Sequence, residues 1–289
     1  MKALSAVMRF NTTRRGDMTE RARAQIYRSK TVATPPQTLR DSHTVTKRTI
    51  AGFPTYRVTS RDVRPESTVL YLYGGGYVSP ISPQHWTLIG QLADAGIRVE
   101  VPIYGLAPRY DHRDARRFLT TVYRRLLVEM AGTPVSIVGD SAGGGLALLL
   151  AQSAVTLGLS QPDRLVLISP WLDLSLSNPA ITPVERRDPW LSRTTLDMAA
   201  KAWAPDRSLT HSSVSPMYGP LGGLAPTDVH IGTHDLLYPD ALRFHERATA
   251  AGTDVQLHTC PSAIHVYPMT PTPEGRAATR TIIESLQAA

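Results

Sequence analysis

Hydrophobic positions along this chain fall into two alternating kinds of run. Short, β-branched stretches at Thr68–Leu72, Ile97–Ile103, Val135–Val138, Arg164–Ile168 and Asp228–Gly232 read as strands. Longer stretches with helical spacing lie between them. Ala115, Phe118, Leu119, Val122 and Leu126 mark one, and Leu146 to Leu157 another. A third runs from about Pro239 to Ala250, opened by a proline where helices accept one. Such alternation predicts a mostly parallel sheet covered by helices on both faces. Two earlier runs, near Thr44–Ile50 and Pro54–Ser60, are more polar and predict an antiparallel edge. Asp254–Cys260 alternates like a last strand, which makes eight. Residues 1–42 and 174–225 stand outside this alternation. The first is basic and helix-prone and ends in Pro35-Pro36. The second carries prolines, Trp190, Trp203 and helical stretches.

Candidate chemistry sits where strands end. Gly139-Asp140-Ser141-Ala142-Gly143 follows a strand and opens a helix, so Ser141 stands at the apex of a sharp turn. The glycines suit a turn too crowded for side chains, and the next helix points its positive end at the hydroxyl. Ser141 is thus a candidate nucleophile, although the same motif also occurs as an ordinary flexible turn. Tyr73-Gly74-Gly75-Gly76-Tyr77 follows another strand. Consecutive glycines can aim backbone N–H groups at one point, as an oxyanion requires, or can simply pack tightly. Asp235 lies on the loop leaving Asp228–Gly232, with a helix cap as its alternative role. Asp240 is the rival acid, but it lies inside the first helical turn, where acids are common. His265 follows the last strand. Among the other histidines, His258 is mid-strand, His234 would point away from Asp235, and His43, His85, His112, His211, His230 and His245 lack a strand-end context. The chain order Ser141, Asp235, His265 is that of α/β-hydrolases.

With these residues in view, the chain resembles the hormone-sensitive-lipase group of α/β-hydrolase esterases from about residue 66 onward. Tyr104-Gly105-Leu106-Ala107-Pro108 and Ser169-Pro170-Trp171-Leu172-Asp173 also match that group. The resemblance implies an α/β-hydrolase fold, with 43–289 as the core. Residues 1–42 and 174–225 would pack together as a cap that buries the acyl pocket. Two residues depart from the group's pattern: Tyr73 stands in place of a histidine and Arg109 in place of a glutamate. The expected oxyanion donors are the amides of Gly75, Gly76 and Ala142, so the side chain at 73 need not donate. A tyrosine there can brace the loop through its hydroxyl. Tyr73, Tyr77, Asp140 and Trp171 are assigned to the substrate pocket. The implied reaction is hydrolysis of short- to medium-chain carboxylic esters. The alternatives are an amidase, formamidase or lactonase on the same triad, or a small-molecule-binding relative without catalysis.

Composition narrows the partners. At 289 residues the chain holds one large domain, with or without a cap. The net charge of +7 comes almost wholly from arginine, since lysine stands only at Lys2, Lys30, Lys47 and Lys201. No basic-aromatic stripe points to nucleic acid. The basic N-terminal segment (Arg21, Arg23, Arg28, Lys30) suits weak contact with an anionic membrane surface. The expected partners are a small-molecule ester and a second copy of the chain in a homodimer. A lone cysteine, Cys260, excludes an internal disulfide and suits a reducing compartment. With no signal-peptide core and no membrane-length run, a cytoplasmic location is expected. The histidines lack metal-ligand spacing, so no metal or other cofactor is expected.

Overall fold

The computed structural model describes residues 1, 18–30 and 34–289. Eight strands form one sheet: β1 (His43–Ile50), β2 (Phe53–Ser60), β3 (Ser67–Leu72), β4 (Ile97–Pro102), β5 (Val135–Asp140), β6 (Leu165–Ile168), β7 (Thr227–Gly232) and β8 (Val255–Cys260). Their order across the sheet is β1-β2-β4-β3-β5-β6-β7-β8. β1 pairs antiparallel with β2, and β2 with β4; the other pairings are parallel. Every residue of β5, β6 and β7 is buried. Successive side chains of a strand point to opposite faces, so both faces of the central sheet are covered. Leu165, Val166, Leu167 and Ile168 are completely inaccessible, and each contributes about 1.5–3 kcal/mol by burial. β1, at the edge, buries only its ends, which fits its polar sequence.

The helices among the described residues are α1 (Met18–Tyr27), α2 (Gln37–Ser42), α3 (Pro83–Asp94), α4 (His112–Glu129), α5 (Ala142–Thr156), α6 (Ile181–Glu185), α7 (Arg193–Trp203), α8 (Tyr238–Ala250) and α9 (Pro273–Gln287). α5 packs on β3, β5 and β6; α8 packs on β7 and β8. α3 and α9 go beyond the elements read from the hydrophobic pattern. α3 begins at a capping box between Ser82 and His85, with Pro83 in the first turn, and buries Trp86, Leu88, Ile89 and Leu92 against β2 and β4. α6 and α7 lie in the excursion between β6 and β7, and α1 packs along α7. Much of the N-terminal stretch expected in a cap, residues 2–17 and 31–33, lies outside the described residues. The parallel strands bring the loops after β3, β5, β7 and β8 to one edge of the sheet, where ligands bind in such folds.

Candidate active site

β5 runs into Ser141, whose backbone sits at φ 51°, ψ −121°, a conformation that serine rarely adopts. Neighbouring backbone enforces it. The Ser141 N–H donates to the Ile168 carbonyl at 2.8 Å, and its carbonyl accepts from Trp171 at 2.9 Å and Gly145 at 3.2 Å. A Cβ at Gly143 would collide with the Leu72 carbonyl, and one at Gly139 with the Gly143 carbonyl. The elbow therefore tolerates only glycine on either side.

The three residues singled out in chain order meet here. His265 Nε2 lies 2.9 Å from Ser141 Oγ, and His265 Nδ1 lies 2.9 Å from Asp235 Oδ2. An ionised aspartate only accepts, so Nδ1 carries the proton and Nε2 accepts from the serine hydroxyl. All three are buried. The histidine loop is tied down at both ends. Ser262 N–H donates to Thr233 Oγ1 at 2.8 Å, and Val266 N–H donates to Ser169 Oγ at 2.9 Å. Burial works against a charged imidazole. The charge and hydrogen bond of Asp235, helped by the charges of Asp188 and Asp140, outweigh it and raise the His265 pKa above its ordinary value.

The glycine loop faces the serine. Gly75 and Gly76 have φ of 121° and 61°, and neither N–H is used in the hydrogen bonds of the loop. Ala142 opens α5, where N–H groups lack partners within the helix. Asp140 locks this loop to the elbow. Its Oδ1 accepts from the Tyr71 hydroxyl at 2.7 Å, and its Oδ2 accepts from the Gly74 N–H and from His85 Nε2, each at 3.1 Å. The Ser82 N–H donates to His85 Nδ1 at 2.9 Å, so Nε2 is the protonated nitrogen that faces Asp140.

A cavity of about 930 Å³ opens above Ser141 and His265. Ile26 of α1, Val78, Leu191, Leu196, Ala199 and Met269 supply apolar wall, and among the described residues no lysine or arginine lines it. Asp140 reaches the cavity, but three other residues assigned to the pocket stand behind it. Tyr73 is buried, stacked on Tyr104 at 4.5 Å, and the two exchange hydroxyl-to-carbonyl hydrogen bonds of 3.3 and 2.7 Å. It is a brace, not a wall. Tyr77 stacks between Trp171 and Trp203 at 5.6 and 4.5 Å and ties the glycine loop to α7. Trp171 is fully buried. The hydrophobicity of aromatic rings next to a Gly-rich loop draws them into the core, beneath the cavity wall.

Two residues with no role in the sequence reading belong to the site. His85 lines the cavity and holds Asp140; Ser82-Pro83 with a polar side chain three residues after the serine was the signal for its helix start. Asp188 approaches from the excursion between β6 and β7, where Asp188-Pro189 is a turn signal. Burial and the neighbouring Asp235 charge push its carboxyl up to about 6. Among the described residues, no cluster of three or more His, Cys, Asp or Glu is placed to hold a metal ion, and no helix is long and apolar enough to cross a membrane.

Comparison with known proteins bears on this geometry. A family model described as alpha/beta hydrolase fold matches residues 69–269. An acetyl-hydrolase of Streptomyces hygroscopicus is 33% identical over 232 residues, covering 76% of this chain and 76% of that protein. An ethyl acetate hydrolase of Pseudomonas putida is 32% identical over 247 residues, covering 80% of this chain and 73% of its own. The crystal structure of a hormone-sensitive lipase from a metagenome library is similar with a TM-score of 0.85 at 27% identity, covering 99% of this chain and 98% of that one.

Proposed function

The chain belongs to the α/β-hydrolase fold family, in its hormone-sensitive-lipase-like group, and from that premise we propose that it is a serine carboxylesterase acting on short- to medium-chain esters. The observation that carries the reading is the unbroken hydrogen-bond chain from Asp235 through His265 to Ser141, at the floor of an apolar cavity.

In this reading His265 Nε2 takes the hydroxyl proton as Ser141 Oγ bonds to the ester carbonyl carbon. The carbonyl oxygen becomes an oxyanion held by the N–H groups of Gly75, Gly76 and Ala142, each worth about 3 kcal/mol of barrier. The tetrahedral intermediate collapses, its C–O bond to the alcohol breaks, and the alcohol leaves with the proton from His265. Water then attacks the acyl-enzyme by the same steps, releasing the acid and restoring the serine. Asp235 stays ionised, fixing the imidazole tautomer and stabilising the cation that forms. The contact of α1 with α7 supports a cap built from residues 1–42 and 174–225, with Ile26, Leu191, Leu196 and Ala199 setting acyl length. A lining whose described residues include no lysine or arginine suits an uncharged acyl group.

The experiment is hydrolysis of p-nitrophenyl acetate, butyrate, octanoate and palmitate beside a Ser141→Ala control. Turnover of the shorter esters, lost in the control and falling away at palmitate, is expected. No turnover at any length overturns the esterase reading.

A further inference from the structure

The excursion that carries α6 and α7 is joined to the acid loop by one half-buried carboxylate. Asp188 Oδ1 accepts from the N–H groups of Trp190 at 2.7 Å and Leu191 at 2.9 Å. Its Oδ2 accepts at 2.7 Å from the N–H of Leu236, the residue after Asp235. The next amide, that of Leu237, donates to Asp235 itself at 2.9 Å. Consecutive N–H groups of the acid loop therefore serve two carboxylates, one from the excursion and one from the triad. Trp190 sets its ring edge-on against the His265 imidazole, with centroids 5.7 Å apart and planes at 83°. Closing the turn does not require a charge, since asparagine closes such turns as well. A buried carboxylate is costly unless fully hydrogen-bonded. What the charge adds here is its place beside Asp235 and His265.

We propose that Asp188 is a positioning residue of the active site: it clasps the excursion to the acid loop, seats Trp190 against His265, and places a second negative charge behind the imidazole. The inference rests on the triad reading above. Asp188 does not line the cavity and acts through His265. Among the described residues, the charges that act most on His265 are those of Asp235, Asp188 and Asp140, and the charge of Asp235 acts on Asp188. The charge favours the imidazolium, the species that protonates the departing alcohol. The clasp fixes the wall made by Trp190 and Leu191.

The test uses the full chain as wild type, Asp188→Asn, Asp188→Ala and a control, Glu185→Gln. Glu185 lies in the same excursion but bonds the Arg193 N–H instead of the acid loop. The His265 imidazole is titrated by NMR on histidine-labelled protein, its signal assigned by its loss in His265→Gln, and kcat and KM are measured with p-nitrophenyl butyrate. Asp188→Asn is expected to lower the His265 pKa by about half a unit or more and to reduce kcat about 10-fold through misplaced geometry. Glu185→Gln is expected to leave both unchanged. A His265 titration that does not move in Asp188→Asn overturns the proposal, as does an equal shift in the control. If Asp188→Ala does not fold, the near-isosteric asparagine variant still decides. A wild type that hydrolyses no ester overturns the esterase reading alone, because the titration is read without turnover.

Discussion

β7 and β8 carry two aspartate–histidine contacts, one along their length and one at their carboxyl ends. Along the strands, His258 Nε2 lies 3.3 Å from Asp228 Oδ1, and Asp228 also takes Arg164 at 3.1 Å and the Ser285 hydroxyl. His230 stacks on His258 with centroids 4.4 Å apart, and both of its ring nitrogens lack a partner among the described residues. At the strand ends, Asp235 and His265 make a shorter contact, and the free side of the imidazole meets a serine below a cavity. The residue types are the same, and the surroundings divide them. Asp228 is saturated by donors that hold it at about 2, despite burial that works the other way, so its contact is structural. His230 is pushed down to about 3, chiefly by desolvation, and stays neutral. An aspartate–histidine pair becomes chemically useful when the second ring nitrogen faces a nucleophile and a space for substrate.

The comparison breaks most sharply on single substitutions. Ser141→Ala is expected to cut ester turnover on the order of 10⁶-fold, and His265→Ala nearly as much, while His258→Ala keeps it. If His258→Ala is the inactive variant, the two pairs have been assigned the wrong way round. Next comes Gly74→Ala. Its Cβ would collide with the Asp140 carboxylate and lie 2.8 Å from Ser141 Cβ. Displacing the glycine loop, the proposed oxyanion site, should lower kcat about 100-fold with little change in KM, as steady-state kinetics would show.

Titration sharpens the same contrast. A raised His265 pKa means that the imidazole holds its proton to higher pH, so the neutral base appears later. The kcat/KM profile should rise with pH through a midpoint above the ordinary value of about 6.5. A midpoint below it contradicts the charge arrangement around His265. His230 works in the opposite sense. Its folded pKa is below its unfolded one, so between about 6.5 and 3 the unfolded chain binds a proton that the folded chain refuses. Stability should fall as pH drops through that window, by up to about 1.4 kcal/mol per unit. Melting at pH 7 and pH 5 should show a smaller loss in His230→Leu than in the wild type; equal losses would remove His230 as a cause.

Much of this was legible in the sequence, for physical reasons that can be named. The buried central strands read clearly because both of their faces are apolar, and β1 read as an edge because its exposed positions are polar. Ser141, Asp235 and His265 were legible because strand ends and chain order constrain them. α3 was harder to see, since its start is written in a serine–proline cap and its apolar positions follow a glycine-rich stretch. His85 on that helix was passed over with it. Tyr73, Tyr77 and Trp171 were assigned to the pocket with the segments that resemble the hormone-sensitive-lipase group, and such a resemblance does not say on which side of a backbone a ring packs. Asp188 was out of reach. Its partner amide at Leu236 is 48 residues away, and neither helical nor strand periodicity links the two.

The backbone at Ser141 has a consequence for how such a chain changes over generations. A conformation of this kind costs about 1–3 kcal/mol in any residue but glycine. Ser141→Gly should therefore melt above Ser141→Ala, and above the wild type where loss of the hydroxyl costs little. Mutation alone would drift toward the relaxed, inert turn. On the esterase reading, selection for turnover is what keeps the serine in a lineage, against a standing gain in stability on offer from its loss.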